Sequence, residues 1–423
     1  METKIYNVAI IGVGARGGDV YGTLMMDKPN HFKIVALCDF KKERLERFGA
    51  LFGVPENARF STEEAFFTEK RADLLIVATP DKNHVRHCLK GFELGYDIMT
   101  EKPLTDNEEE CKALLAAQKK SGKKALVCHV LRYAPAFVKV ANILQSGELG
   151  RLVAIDALER VGYPHQSHSY VRGNWRNLKV STPMILAKCC HDLDLLQFYA
   201  NSKCKSISSV GDLVHFKEEN APEGSAARCL DCPHCETCVY SAKRHYLDCW
   251  KQSSSPEDRW PYNVITQAPT TEEKLMQALK EGPYGRCVYR CDNDVVDHQL
   301  TMMTFENGVK ASLTMTAFTA YGGRRYVFYG TEADLILDEE SDSLTFRKYN
   351  GHPVTYKISD LIEDEKGYGH GGGDARLIEN LYSVLEGTAP SATSFAASIE
   401  SHLMGIYAEE SRLKGGELIY VHD

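Results

Sequence analysis

An amine, an imidazole and two thiols crowd into "AKCCHDLD", residues 187–194. If the segment is helical, Lys188, His191 and Asp192 share one face, because side chains three and four positions apart are neighbours. An amine beside an imidazole can hold a hydroxyl and carry its proton. Cys189 and Cys190 point the other way and read as small core residues. A second group is "GVGARG", where Gly12, Gly14 and Gly17 enclose Ala15 and Arg16 in G-x-G-x-x-G spacing. Such glycines permit a tight turn, let the backbone approach a pyrophosphate and let helix pack on strand. A third is "CLDCPHCETC", with Cys229, Cys232, Cys235 and Cys238 at C-x2-C-x2-C-x2-C spacing, which can bring several sulfurs to one ion.

The chain that must position these groups has 423 residues, 43% apolar and 26% charged, enough for a sizeable core and two or three domains. No run approaches the roughly 20 apolar residues of a membrane helix, so no membrane partner is expected. The opening "METKIYNVAII" enters a strand-like run without a signal peptide's flanks, which makes the cytoplasm the expected compartment. There, 14 cysteines are thiols or metal ligands rather than a disulfide framework. A net charge of −8 without a basic block gives a nucleic-acid partner no electrostatic support and favours a small-molecule ligand.

The first third alternates strand and helix. "YNVAIIG" reads as a buried parallel strand ending at the glycine loop, with the helical "GDVYGTLMM" after it. "FKIVALCD" follows as a second strand ending at Asp39, roughly 20 residues beyond the loop, where a carboxylate accepts from ribose hydroxyls and repels a 2′-phosphate. NAD is therefore expected over NADP, with Lys41, Lys42 and Arg44 close enough to soften the repulsion. Further strand–helix units predict a Rossmann domain over residues 1–128, a doubly wound parallel sheet with its ligand at the carboxyl ends of the strands.

At those carboxyl ends, "ATPDKNH" (78–84) and "TEKPLT" (100–105) resemble the Gfo/Idh/MocA oxidoreductases, named for glucose-fructose oxidoreductase and inositol dehydrogenase. The resemblance implies that Lys102 lies beside a nicotinamide and transfers a proton, and that Glu101 holds the nicotinamide ribose. Thr79, Pro80, Asn83, His84 and His129 would flank the cofactor. It also implies a second α/β domain, 129–423, whose large and mainly antiparallel sheet covers the cofactor with one face and meets another subunit with the other. A homodimer or homotetramer follows, and "HQLTMMTFENGVKASLTMTAF" (298–318) has the hairpin pattern of such a face. The segment 181–200 reads as one helix, with Ser181 or Thr182 as cap, and the family's substrate-facing histidine maps onto His191. Many members carry an aspartate four residues before it; here that position is Ala187, followed by Lys188. In "YPHQSHSYVRGNWR" (163–176) the substrate-pocket candidates are His165, His168, Tyr170, Trp175 and Arg176, joined by Arg132 from "CHVLRYAP", Asp192, and His370 in "GYGHGGGD" (367–374). Asp374 either reaches the ligand or caps the following helix.

The activity implied is NAD-dependent hydride transfer from a sugar or polyol carbinol carbon. Burial disfavours a lysine's charged form, which would suit Lys102 to accept the hydroxyl proton while His191, with help from Lys188, orients or relays it. Two alternatives stand beside this. One is a redox-neutral glycosidase or lyase that oxidises a sugar transiently and eliminates a substituent; the other is an NAD-binding regulator without turnover. Between about residues 215 and 297 lies an insertion that the family pattern does not require. Its four cysteines are expected to hold a structural zinc that supplies folding energy to a loop with little apolar content of its own, with an iron–sulfur cluster or no metal as alternatives, and with Cys249 or His245 able to replace one ligand.

Overall fold

Residues 8–11 and 74–77 are apolar on both faces because helices cover both sides of the sheet they enter, as the continuous pattern predicts. The computed structural model describes residues 4–253, 260–266, 269–362 and 369–422. Six parallel strands lie in the order Arg59–Phe60, Phe32–Cys38, Tyr6–Ile11, Leu74–Val77, Asp97–Thr100, Ala125–Val127. The order reverses between Tyr6–Ile11 and Leu74–Val77, which opens the crevice at their carboxyl ends where an α/β sheet binds its ligand.

This sheet is not completed by the first 128 residues. Helix Gly373–Glu386 places Leu377, Ile378, Leu381 and Leu385 in one of its cores, and Phe395 and Ile399 of helix Phe395–Leu413 enter the other. The Val127 amide donates to the Thr393 carbonyl at 2.9 Å, and Lys124 Nζ donates to the carbonyls of Val384 and Leu385, both at 2.7 Å. The C-terminal helices thus belong to both halves of the molecule.

The second sheet has nine strands, ordered Val354–Lys357, Ser343–Lys348, Ala333–Asp338, Gly323–Gly330, Leu152–Arg160, Lys310–Thr316, His298–Phe305, Cys204–Asp212, Ile419–Tyr420. All neighbours are antiparallel except Leu152–Arg160 with Lys310–Thr316. One face is buried beneath helices Pro135–Gln145, Cys190–Ala200 and Phe395–Leu413; the other leaves Val153, Val210, Leu300 and Met302 exposed.

Two expectations need correction. The segment 181–200 is two helices, Met184–Ala187 and Cys190–Ala200, parted at Lys188 and Cys189, and Pro183 rather than Ser181 or Thr182 stands at the first N-cap. The two hydroxyls instead donate to Asp81 Oδ2 at 2.7 and 3.1 Å. The insertion is also not a loop lacking apolar content. Helix Glu272–Glu281, capped by the Thr271 side chain, buries Leu275 and Leu279 against Tyr246, Leu247 and Tyr284. Among the described residues no helix is long and apolar enough to cross a membrane.

Candidate active site

The glycine loop leads from strand Tyr6–Ile11 into helix Ala15–Gly22, wound with π-type turns. Gly12 has φ +88°, and a Cβ there would lie 2.5 Å from the Ala78 carbonyl oxygen; at Gly17 it would meet the Gly12 oxygen at 2.1 Å. Above Gly14 the first atoms reached belong to the Arg44 guanidinium, so a flexible side chain and not backbone lies over this point of the loop. Buried Asp39 accepts from the Lys41 amide at 2.9 Å and lies 3.5 Å from Arg44 Nη1. A backbone cradle with a carboxylate at the next strand's end fits a dinucleotide.

Arg16 does not face that cradle. Its guanidinium pairs with Glu101 at 2.7 Å and with Asp374 at 2.6 Å, and it also contacts the Tyr21 hydroxyl, which itself donates to Glu101 at 2.6 Å. Arg16 thus ties the loop to the strand end that carries Lys102 and to the C-terminal helix. Asp374 makes no N-cap bond: Gly372 caps the helix, and the carboxylate, held well below its usual range by Arg16 and His370 against the effect of burial, is spent on those two partners. Residues 367 and 368 of the expected glycine loop lie outside the described residues. His84 bridges the carbonyls of Pro103 and Thr79 at 2.6 and 2.7 Å, so it braces the turn rather than facing a ligand, and Asn83 accepts from Arg86 at 3.0 Å. Ala15, Thr79 and Pro80 are partly or fully exposed along the cradle's rim.

Lys102 and the histidines meet beyond this rim. Lys102 Nζ donates to the Ala187 carbonyl at 3.1 Å, so the lysine meets the segment before His191 through its main chain. His191 is buried with Nδ1 unpartnered, 5.8 Å in ring centroid from His129 and 5.9 Å from His370. Burial, reinforced by the Lys102 charge, lowers its pKa well below 6.5. His129 is fully buried, both ring nitrogens lack a hydrogen-bond partner, and Asp194 lies 4.0 Å away. His165, half-buried, has its pKa lowered well below 6.5 by burial and by the Lys188 charge. His370 Nδ1 donates to Asp374 Oδ2, 3.0 Å away.

Lys188 and Asp192 belong to a buried network that local sequence does not display. Lys188 Nζ pairs with Glu159 Oε1 at 2.9 Å, Glu159 Oε2 with Arg324 at 2.8 Å, and Arg324 Nε with Asp192 Oδ1 at 2.9 Å; Tyr326 also donates to Asp192 at 2.8 Å. Asp192 is therefore spent within the protein and does not face a substrate. Glu159, Arg324, Asp81 and Tyr21 were missed by sequence reasoning. Glu159 had a signal: it occupies the inward phase of strand Leu152–Arg160, after Ile155 and Ala157, where an unpaired charge would be costly.

Three other candidates are also committed elsewhere. Arg132 forks onto Asp194 at 2.6 and 2.8 Å, and Arg176 pairs with Asp292 at the surface at 2.7 Å. His168 meets the Tyr246 hydroxyl at 3.0 Å and stacks on Tyr284 at 4.7 Å, inside the insertion's contact with the pocket segment. Trp175 Nε1 donates to Asp81 at 3.2 Å, and Tyr170 lies between Trp175 and His165. The cysteines of the insertion surround a common void, but among the described residues no three His, Cys, Asp or Glu side chains stand at the spacing of one ion. His245 Nε2 points to the Val239 carbonyl, 2.8 Å away, and Cys249 is exposed, so neither replaces a ligand as expected.

Buried histidines set a pH dependence. His129, His168, His191 and His402 all have pKa values lowered mainly by burial, those of His168 and His402 to about 3. The unfolded chain takes up protons below 6.5 while the native state resists them, so stability present above pH 6.5 is lost as pH falls toward 3. The urea midpoint should drop between pH 7.5 and 5.5, and less so in His168→Phe, which can still stack on Tyr284. Equal drops in both proteins would contradict this.

Residues 6–129 match the oxidoreductase family's NAD-binding Rossmann fold, and residues 142–418 match its C-terminal alpha/beta domain. The chain belongs to the Gfo/Idh/MocA family. Within this oxidoreductase family it is 23% identical to YteT, an oxidoreductase of Bacillus subtilis (strain 168), over 92% of this chain and 94% of that one. It is 22% identical to an inositol 2-dehydrogenase of Pseudarthrobacter chlorophenolicus over 69% of this chain and 80% of the relative. Its fold matches that of a levoglucosan dehydrogenase solved with NADH and levoglucosan, with TM-score 0.72 and 16% identity, covering 99% of this chain and all 100% of the other. The family assignment makes the Rossmann half the NAD-binding half.

Proposed function

We propose that this chain is an NAD-dependent dehydrogenase acting on a carbinol carbon of a sugar or polyol, with Lys102 and His191 handling the hydroxyl proton. The observation that carries the reading is the buried His191, neutral and with Nδ1 unpartnered, beside a lysine held by a backbone carbonyl. Gly12, Gly14, Gly17 and Asp39 would hold the dinucleotide, which when bound supplies the hydride acceptor. As the free amine, after losing its own proton, Lys102 Nζ takes the hydroxyl proton, and the Ala187 carbonyl limits where that amine can point. His191 holds the same hydroxyl through its free ring nitrogen, since a neutral imidazole can donate or accept. Trp175 and Tyr170 offer flat faces to the CH side of a carbohydrate. The test is purified protein with NAD across a panel of sugars and polyols, read by NADH absorbance. No NADH with any of them, but cleavage of a glycoside by NAD-loaded protein, would select the redox-neutral alternative, which the absence of an acid at Ala187 favours.

Cofactor choice tests the Asp39 reading. Asp39→Ser removes both a ribose acceptor and a charge that repels a 2′-phosphate, and it frees Arg44. NAD affinity should fall and NADP affinity rise. A wild-type preference for NADP would overturn the assignment. The exposed face with Val153, Leu300 and Met302 is proposed to meet a second copy of the chain. Leu300→Lys with Met302→Lys should lower the mass measured by light scattering, and a monomeric wild type would contradict the proposal.

A further inference from the structure

Cys229, Cys232, Cys235 and Cys238 line a cavity of about 20 Å³, and a fifth cysteine that no local spacing reveals, Cys287, lines it too. Cys287 arrives from the far end of the insertion. Arg228 and Arg286 form an isolated antiparallel bridge and the Cys287 amide donates to the Ala227 carbonyl at 2.9 Å, which sets Cys287 alongside Cys229. The five thiols are not equivalent. Cys238 and Cys287 each lie within electrostatic reach of both Cys229 and Cys232, while Cys235 lies within reach of Cys229. The Cys235 thiol lies 3.6 Å from the Ser241 hydroxyl, and Cys291 turns its sulfur to the Cys287 carbonyl at 3.2 Å.

A fully buried guanidinium, that of Arg172, also reaches this cavity. Its Nε donates to the Arg286 carbonyl at 2.7 Å, its Nη2 to the Tyr240 carbonyl at 2.6 Å and to Cys229 Sγ at 3.5 Å, while Nη1 has no partner. Among the described residues these partners are carbonyls and a thiol, with no carboxylate to offset the charge. A buried guanidinium without an anion is costly. Four thiolates on one divalent cation carry a net charge of −2, and this would supply the missing anion at the point where Arg172 already meets Cys229.

We propose that Cys229, Cys232, Cys238 and Cys287 bind one zinc ion, with Arg172 as its buried counter-cation and Cys235 outside the ligand set. The cavity has room for about one atom-sized guest, as one probe sphere is roughly 10–15 Å³, which suits a single ion and not an eight-atom iron–sulfur cube. The thiols ring the void without closing on it, so the ion draws them to the roughly 2.3 Å of a zinc–sulfur bond and displaces their protons. Arg172 ends segment Gln166–Arg172, which carries His168 and Tyr170, so the ion would also fix one wall of the pocket.

The test is metal content of tag-free full-length protein produced in zinc-supplemented medium, and it is independent of catalysis. Wild type and Cys235→Ser should each hold about one zinc per chain, and Cys287→Ser should hold almost none. Zinc-edge X-ray absorption should show four sulfurs at about 2.3 Å in wild type and also in Cys235→Ser, where the C-x2-C run alone can supply only three. This second measurement decides the matter even if Cys287→Ser does not fold. Metal-free wild type, zinc lost from Cys235→Ser, full zinc retained by Cys287→Ser, or the visible absorbance of an iron–sulfur cluster would each overturn the proposal.

Discussion

Lys102→Ala is expected to lower kcat roughly 100-fold or more while leaving NAD affinity close to wild type, the loss typical of removing a general acid–base group. The separation of the two effects follows from how position 102 is held. Its side chain reaches across to the Ala187 carbonyl, while the bonds that shape the cofactor crevice run through its backbone and its neighbours: the Lys102 amide donates to Glu101 Oε2 at 3.0 Å, and Glu101 is held by Arg16 and Tyr21. None of those bonds uses the Lys102 amine. Turnover near wild type with the true substrate would refute a proton-transfer role, and a large loss of NAD affinity would assign the lysine to binding instead.

Glu159→Ala should cost about 3–5 kcal/mol of folding stability, the penalty of removing one partner from a buried ion pair. The Glu159 side chain is 1% exposed and is the anion shared by Lys188 and Arg324, so its removal takes from Lys188 its carboxylate and leaves Arg324 with Asp192 as its paired one. Its carboxyl pKa is raised by burial, opposed first by Arg324 and then by Lys188, so the cost of enclosing the charge is met by these two partners together. Urea unfolding measures the loss. The double variant Glu159→Ala with Lys188→Met should recover part of it, because one unpaired charge leaves with the carboxylate. A single-variant loss below about 1 kcal/mol would show that water or a rearranged partner compensates.

The parallel sheet and the glycine loop were legible because their signals are local: apolar runs covered on both faces, and glycines at positions such as 12 and 17 where a Cβ collides with backbone. The approach of Lys102 to the segment 187–191 was legible only through family resemblance, since nothing in either stretch records the other. The break at Lys188 and Cys189 was not legible, as the apolar period of 181–200 runs through it unchanged while the hydroxyls of Ser181 and Thr182 are drawn off to Asp81, 100 and 101 residues away. Arg132 was read as a pocket residue from its place after the last Rossmann strand, and Asp192 from the helix face it would share with His191. Their partners Asp194 and Arg324 show that polar residues near a site often serve to hold it in place. Cys287 lies outside any count of C-x2-C spacing because a bridge between Arg228 and Arg286, not local sequence, brings it to the cavity.

The interlocking of the C-terminal helices with the first sheet has a consequence for biosynthesis. Domains usually fold as they leave the ribosome, amino-terminal first. Here the nascent nucleotide-binding half lacks Leu377, Ile378, Leu381, Phe395 and Ile399 from its two cores, and the edge strand Ala125–Val127 lacks the Thr393 and Ser394 pairing, until nearly the whole chain has been translated. Its apolar flank stays uncovered through synthesis of more than half the polypeptide, so ribosome-stalled chains ending before helix Gly373–Glu386 should recruit holdase chaperones and resist release as soluble fragments, while full-length chains should not.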